Sequence, residues 1–185
     1  MTPTSDRPLD GQAAVVTGAA RGIGLAIAER LAADGAALVM ADLDATGVAA
    51  AADQLAADVG RPGAVLGLGA DCSVRADVER VIADCLDRFG RLDVFVANAG
   101  IGVQVPVLET SDDIWERTMA INLRGVFLGV QLAGGRALPS APFEASLVSG
   151  ASRHFLVYDN YDVLLAYNCA HAYALSVAML AERIG

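Results

Sequence analysis

Apolar and polar positions along the chain follow two alternating patterns. Short runs rich in Ala, Val and Leu are typical of buried strands, and longer segments with apolar residues at helical spacing are typical of helices. The pattern predicts strands over residues 13–17, 37–41, 64–69, 92–97 and 145–149. It predicts helices over residues 23–34 and 45–59, from a cap at Ser73 to 89, from a cap at Ser111 or Asp112 to about 135, and from about 164 to 183.

Strands that alternate with helices of this length predict βαβ units, a parallel sheet and right-handed crossovers. The strands are continuous apolar runs, as in sheets that helices cover on both faces. The 185 residues suit one domain with its own core, and no repeat or low-complexity linker divides them. We therefore expect a single α/β domain over residues 1–185.

The turn between the first strand and the first helix, residues 17–24, reads Thr-Gly-Ala-Ala-Arg-Gly-Ile-Gly. Gly18 would let the chain turn sharply, Gly22 would let the backbone approach a phosphate, and Gly24 would let the helix pack closely. Arg21 and Ile23 lie at the same helix N-terminus, where free N–H groups and the helix dipole favour an anion. The turn predicts a Rossmann-type site for the pyrophosphate of a nicotinamide dinucleotide; an ordinary glycine-rich turn is the alternative.

A carboxylate, Asp42, stands at the end of the second strand, 18 residues after Gly24. In this position it can accept hydrogen bonds from the adenosine ribose hydroxyls, and it would repel a 2′-phosphate. Asp42 therefore favours NAD over NADP, although Arg21 could meet a phosphate and favours NADP weakly. A solvated acid at a strand end is the alternative interpretation of Asp42.

Composition excludes several classes of function. The chain has 22 acidic and 13 basic residues and a net charge of −9, so neither nucleic acid nor an anionic membrane is an expected partner. All 13 basic residues are Arg, and Lys is absent. Cys72, Cys85 and Cys169 are too scattered for a disulfide framework or a zinc site, and we expect no metal.

Two segments bear on location. Residues 1–11 contain charges and no apolar stretch, so they do not predict a signal peptide. Residues 163–181 carry no formal charge over 19 positions, close to the length of a membrane span. They include Tyr167, Asn168 and His171, which a bilayer core tolerates poorly, so we interpret them as a buried or interface helix. We expect a soluble cytoplasmic protein.

Three further motifs follow the glycine-rich turn along the chain. Asp71 follows the third strand, Asn98-Ala99-Gly100 follows the fourth, and Asn122 lies in the long helix within Ile-Asn-Leu-Arg-Gly-Val-Phe. Together these motifs resemble the short-chain dehydrogenase/reductase family from about residue 10 to the C-terminus. The resemblance implies a three-layer α/β/α fold with five strands in the order 3-2-1-4-5, lacking the family's last two strands. It also implies that Asp71 contacts adenine and that residues 98–100 border the cofactor.

The resemblance further implies an oxidoreductase that transfers a hydride between NAD(P)(H) and an alcohol or carbonyl. In the family, a Ser polarises the carbonyl, a Tyr exchanges its proton, an Asn holds a water, and a Lys four residues after the Tyr binds the nicotinamide ribose. On this chain the resemblance assigns these roles to Ser152, Tyr167, Asn122 and His171. It implies that Tyr167 and His171 also contact the cofactor. Ser149 is another candidate serine; a loop serine and a packing aromatic are the alternatives for Ser152 and Tyr167.

Two departures from the family pattern affect the expected activity. A phenol with an ordinary pKa of about 10 needs a nearby cation at neutral pH, whereas the imidazole of His171, with an ordinary pKa of about 6.5, is mostly neutral there. The chain also ends at Gly185, just after the helix that carries Tyr167, where family members continue. We expect weakened or absent turnover and keep two alternatives: a non-catalytic dinucleotide-binding module, and a truncated inactive member.

The fourth and last predicted helices carry apolar stripes that the chain offers little means of covering. In the family these helices form a dimer interface, so the resemblance implies a homo-oligomer. The implied substrate is a small-molecule alcohol or carbonyl, whose identity the sequence does not specify.

Overall fold

The computed structural model describes residues 7–136, 145–149 and 154–158. The chain divides into two compact units, Met1–Pro139 and Ser140–Gly185. The first unit contains the glycine-rich turn and a parallel sheet. The second contains a two-stranded antiparallel sheet. The predicted helix over residues 164–183 lies outside the described residues.

The first unit alternates strands and helices along the chain. Its strands are β1 (Ala13–Thr17), β2 (Ala37–Asp42), β3 (Val65–Gly69) and β4 (Val94–Val96), and its first three helices are α1 (Gly22–Ala33), α2 (Ala45–Asp58) and α3 (Arg75–Phe89). All strand pairs are parallel, and the hydrogen-bonded order is β3-β2-β1-β4. The predicted parallel α/β sheet and the order 3-2-1-4 are confirmed.

The core of the first unit lies on both faces of this sheet. Alternate residues of β1 and β2 point to opposite sides, as a strand requires: Val15 and Val39 belong to one buried cluster, and Val16 and Leu38 belong to the other. Helices α1 and α2 cover the cluster that contains Val16. Helix α3 and the later helix α5 (Gly125–Arg136) cover the opposite cluster. Both faces are therefore apolar, and the strands read as continuous hydrophobic runs.

Helix ends test the predicted caps. Gly90 ends α3 in the left-handed conformation, with φ of 75°, as expected for a glycine at this position. The prediction that Ser73 caps the start of α3 is wrong. The N-cap is Val74, one residue further along the chain, without a side-chain hydrogen bond. The Ser73 hydroxyl donates to Asp71 Oδ1 at 2.7 Å, so a local carboxylate sets its orientation before the helix begins.

The predicted long helix after residue 111 forms in three parts. Ser111 caps it by accepting a hydrogen bond from Ile114 N at 3.3 Å, and α4 runs from Asp112 to Met119. A single π-helical segment, Ala120–Arg124, separates α4 from α5 (Gly125–Arg136). In a π segment the backbone hydrogen bonds join residues five positions apart, one more than in an α-helix, and such segments frequently occur at functional sites. Within the described residues, no helix has the length and apolarity needed to cross a bilayer.

The predicted fifth strand requires a correction. Ala145–Ser149 is a strand, β5, but it pairs in antiparallel register with β6 (His154–Tyr158), and the two form a separate sheet. The prediction of a fifth parallel strand beside β4 is therefore wrong in its pairing. Only four residues separate β5 from β6 along the chain, so pairing them requires closing a short loop. The strand over residues 154–158 was not predicted from the sequence.

A carboxylate joins the amino ends of β1 and β4. Asp93 Oδ2 accepts hydrogen bonds from Ala13 N at 2.8 Å and from Arg91 Nε at 2.7 Å, and its Oδ1 accepts from Arg91 Nη2 at 2.6 Å. The side chain of Asp93 is 13% exposed. The hydrogen bond from Arg91 is the largest cause that holds the pKa of Asp93 below its usual value of 3.8, and the bond from Ala13 acts in the same direction against partial burial.

We expect Asp93→Asn to lower the free energy of unfolding by about 1–2 kcal/mol at pH 7, because the charge-assisted bonds from Arg91 are lost. Since the folded-state pKa is depressed, this stabilisation is fully present above the unfolded-state value and disappears as pH falls through the folded-state value. Urea unfolding at pH 7, 5 and 3, with exposed Asp53→Asn as the control, measures the difference. A gap from wild type that stays constant down to pH 3 would contradict the assignment.

Candidate functional site

A cleft of about 400 Å³ opens at the carboxyl edge of the parallel sheet. This is the edge at which open α/β sheets bind ligands. Most residues predicted to bind a cofactor line it: Gly18, Arg21, Ile23, Gly24, Asp42, Asp71, Asn98, Ala99 and Gly100. Gly22, between Arg21 and Ile23, is not among the lining residues. The lining also includes residues that the sequence analysis did not select: Leu43, Ala70, Cys72, Ile101 and Ile121.

The three glycines of the β1–α1 turn meet different constraints. Gly18 has φ of 67°, and a Cβ on it would lie 2.8 Å from the Cα atom of Ala99. A Cβ on Gly24 would overlap the carbonyl oxygen of Gly18 and lie 2.6 Å from Asn98 Nδ2. Gly22 has φ of 61°, but no atom lies within 4 Å of an added Cβ. Gly18 and Gly24 are therefore required by packing within the protein, whereas Gly22 leaves open space.

The start of α1 has no side-chain cap. Its N-cap, Arg21, has extended backbone geometry, and no side chain accepts a hydrogen bond from the first turn. The first N–H groups of a helix have no partner inside the helix, and the helix dipole adds positive potential there. This end of α1 can therefore bind an anion through backbone amides, with the exposed Arg21 beside it.

Thr17, to which the sequence analysis assigned no role, joins the two sides of the cleft. Its hydroxyl accepts hydrogen bonds from the backbone N–H groups of Asn98 and Ala99, both at 3.1 Å, and donates to Val96 O at 3.3 Å. In return, Asn98 Nδ2 donates to Thr17 O at 3.0 Å and to Gly18 O at 3.2 Å. The available signal was a hydroxyl at the last position of β1, directly before the glycine-rich turn.

Asp42 holds backbone at the mouth of the cleft. Its Oδ2 accepts a hydrogen bond from Ala20 N in the glycine-rich turn, and its Oδ1 accepts one from Asp44 N, both at 3.0 Å. A carboxylate oxygen has two acceptor positions, so each oxygen keeps one for a ligand hydroxyl. Asp42 can therefore fix the turn and bind a ligand at the same time.

Asp71 organises the loop after β3. Its Oδ1 accepts from Ser73 N at 2.9 Å and from the Ser73 hydroxyl at 2.7 Å, and its own N–H donates to Asp77 Oδ2 at 2.8 Å. Cys72 follows in the cleft wall, and burial, reinforced by the negative charge of Asp71, raises the pKa of its thiol. The other described cysteine, Cys85, lies in the core, and burial raises the pKa of its thiol to about 11.

Asn122 lies in the π segment and binds the loop after β4. Its Oδ1 accepts a hydrogen bond from Ile101 N, and its Nδ2 donates to Ile101 O, both at 2.8 Å. The two hydrogen bonds engage the N–H and the C=O of the same residue, as pairing with a neighbouring strand would. The side chain therefore fixes the backbone next to Gly100, where an added Cβ would approach Asn122 Oδ1 to 3.4 Å.

The remaining predicted catalytic residues, Ser152, Tyr167 and His171, lie outside the described residues. The alternative serine, Ser149, is the last residue of β5, opposite His154. Within the described part of the chain, no group of three or more His, Cys, Asp or Glu residues could hold a metal ion.

Comparison with known proteins identifies the family. The family model described as short chain dehydrogenase matches residues 12–138, which include every residue of the cleft. The chain belongs to the short-chain dehydrogenase family. A second model, for a transglycosylase SLT domain, matches residues 95–182, less than half of the chain.

Individual relatives agree with the family. A short-chain dehydrogenase/reductase of Hericium erinaceus is 43% identical over 126 residues, covering 68% of this chain and 50% of the relative. D-threitol dehydrogenase of Mycolicibacterium smegmatis is 43% identical over 133 residues, covering 72% and 50%. The crystal structure of a short-chain dehydrogenase/reductase from Burkholderia phymatum in complex with NAD superposes with a TM-score of 0.66 at 35% identity, covering 69% and 44%. The chain spans about half the length of the curated relatives it matches.

Proposed function

We propose that this chain binds NAD in the cleft and acts in hydride transfer between NAD(H) and a small-molecule alcohol or carbonyl. The observation that supports NAD binding best is the uncapped start of α1, because Arg21, Ile23 and Gly24 there line the cleft. The backbone at Gly22, between them, is left-handed, and no protein atom lies within 4 Å of an added Cβ. A diphosphate can approach the amides of α1 only where such a side chain is missing.

The residues around the cleft fit the parts of a dinucleotide in order. The diphosphate would lie against residues 18–24, and the adenosine ribose would lie against the free acceptor positions of Asp42. Adenine would then lie beside the loop after β3, residues 70–74, which we name the adenine-side loop. The nicotinamide half would lie toward the loop after β4, residues 98–101, which Asn122 holds.

NAD rather than NADP is the proposed cofactor because the carboxylate of Asp42, which lines the cleft at the end of β2, would repel the 2′-phosphate of NADP. Both oxygens of this carboxylate are held by backbone N–H groups, so the negative charge cannot move away easily. A complex with NAD, in the related structure from Burkholderia phymatum, supports the assignment. Arg21 is the one basic residue of the described cleft lining and is exposed, so it can serve the diphosphate.

Tyr167, Ser152 and His171 would carry out the proton chemistry. When bound, NAD supplies the carbon that accepts or donates the hydride. The Tyr167 hydroxyl would exchange a proton with the substrate oxygen, and the Ser152 hydroxyl would donate a hydrogen bond to the same oxygen. A protonated His171 would lower the pKa of the phenol in place of the missing Lys. Asn122 would serve mainly by fixing the loop at Ile101, since the backbone of Ile101 engages both Oδ1 and Nδ2 of the Asn122 amide.

Association of the chain into a homo-oligomer through α4, α5 and residues 164–183 belongs to the same proposal, as does a cytoplasmic location. Trp115 on α4 is 58% exposed and Val130 on α5 is 66% exposed, so these helices carry uncovered apolar side chains. Sedimentation of the protein as a monomer at micromolar concentration would contradict the association.

Gly22→Asp should weaken NAD binding at least about tenfold, because a carboxylate would occupy the space proposed for the diphosphate and repel it. Gly60→Asp is the matched control, since Gly60 has φ of 63° and equally open surroundings at the end of α2. Calorimetric titration with NAD compares the two variants, which share charge and backbone strain. Equal losses in both would contradict a diphosphate site at Gly22, and no binding by the wild type at millimolar NAD would remove the proposal.

Asp42→Asn should lower the preference for NAD over NADP by about tenfold, because it removes the charge that would repel a 2′-phosphate but keeps an acceptor for the turn. The measured quantity is the ratio of the two dissociation constants, which cancels any general weakening of the site. Asp58→Asn, at the far end of α2, is the control. An unchanged ratio in Asp42→Asn would contradict the placement of the ribose.

His171→Lys should raise the rate of carbonyl reduction by NADH, and Tyr167→Phe should abolish it. If protonated His171 replaces Lys, the wild-type rate should fall as pH rises through the imidazole pKa, near 6.5 when unperturbed, whereas the rate of His171→Lys should persist. NADH absorbance with a panel of carbonyl substrates measures both profiles. If neither protein turns over and NAD still binds, the chain is a non-catalytic binding module.

A further inference from the structure

Arg124 connects the π segment to the adenine-side loop. It is the last residue of that segment, and its Nη1 donates a hydrogen bond to the backbone carbonyl of Ser73 at 2.7 Å. Asn122, two positions earlier, binds the loop on the opposite side of the cleft through Ile101. One turn of helix therefore holds backbone from both walls of the cleft.

The contact at Ser73 leads directly to the cleft. Ser73 donates its N–H and its hydroxyl to Asp71 Oδ1, at 2.9 and 2.7 Å, so its position determines where the Asp71 carboxylate lies. Asp71 and Cys72 both line the cleft, whereas Ser73 and Arg124 do not. Arg124 thus restrains the positions of Asp71 and Cys72 through its hydrogen bond to Ser73.

Packing beside Arg124 restrains the same loop. A Cβ on Gly125, the next residue, would lie 3.0 Å from Cys72 Sγ and 3.3 Å from Cys72 O, so the loop rests against bare backbone. Between α3 and α5, Arg75 Nη2 donates to Gln131 Oε1 at 2.6 Å. These contacts limit movement of the loop but do not orient the Ser73 carbonyl, which Arg124 alone among the described side chains does.

We propose that Arg124 is a positioning residue for the adenine half of the cofactor, acting through the Ser73 carbonyl on Asp71 and Cys72. This inference rests on the proposed NAD site. It gives the π segment two roles, since Asn122 sets the wall near the nicotinamide and Arg124 sets the wall near the adenine. Both roles require that Asn122 reaches the loop after β4 and that Arg124 reaches the adenine-side loop, as they do here.

The first test needs no cofactor. Arg124→Met removes the hydrogen bond and keeps a side chain that suits a helix. Alkylation of Cys72 by iodoacetamide, followed by peptide mass spectrometry, should become about fivefold faster, the factor that corresponds to one hydrogen bond of ordinary strength. Cys85 is the internal control, because it is buried in the core and reacts only when the fold opens. Equal acceleration at both cysteines would mean general destabilisation and would overturn the proposal.

The second test uses NAD and AMP as probes of the whole protein. Arg124→Met should weaken both by a similar factor of about five, because AMP contains the adenine half. Arg117→Met is the matched control: Arg117 is an exposed arginine of α4, and its loss changes the net charge equally. Weaker binding of NAD with unchanged AMP, or equal losses in the two variants, would overturn the role of Arg124.

Failure of the two proposals can be told apart. If the wild type binds neither NAD nor AMP at millimolar concentration, the proposed function and this inference fall together. If the wild type binds both, but Arg124→Met matches Arg117→Met in affinity and in Cys72 alkylation, only the role of Arg124 is overturned.

Discussion

The close approach of two backbone segments, the β1–α1 turn and the loop after β4, is the constraint on which the site depends. Bare backbone at Gly18 and Gly24 permits it, because a Cβ at either position would meet Ala99, Asn98 or the turn itself. The Thr17 hydroxyl then accepts hydrogen bonds from two part-buried backbone N–H groups, that of Ala99 and that of Asn98, which also donates to Val96 O. An unsatisfied donor costs about 1–3 kcal/mol, so this one hydroxyl stabilises the arrangement substantially.

From this contact, the cleft is built by side chains that bind backbone before they meet any ligand. Asp42 fixes the glycine-rich turn, Asp71 fixes the adenine-side loop, and Asn122 fixes the loop that ends at Ile101. A site whose groups are already held loses less conformational entropy on binding. The opposite edge of the sheet serves a different purpose, since Asp93 there joins strands and does not line the cleft. The carboxyl edge of the sheet therefore carries the cleft, whereas the Asp93 contact at the amino edge stabilises the strand pair.

Local signals predicted the fold of the first unit well. The apolar runs located the four parallel strands, Gly90 ended a helix through its left-handed backbone, and Ser111 began one through its hydroxyl. Competition was harder to predict: the Ser73 hydroxyl binds a neighbouring carboxylate rather than the helix start. The pairing of β5 was missed for a similar reason, because the apolar run identifies a strand but does not select between a distant parallel partner and a near antiparallel one.

The sequence by itself determined the alternation of strands and helices, the glycines of the turn, and the candidate acids Asp42 and Asp71, because these depend on local backbone freedom and on apolar periodicity. Only the tertiary structure decided what those residues touch. The hydroxyl of Thr17, the amide of Asn122 and the guanidinium of Arg124 find partners 21 to 82 positions away. No local pattern encodes such pairs, since they arise when the carboxyl ends of four strands are brought to one edge.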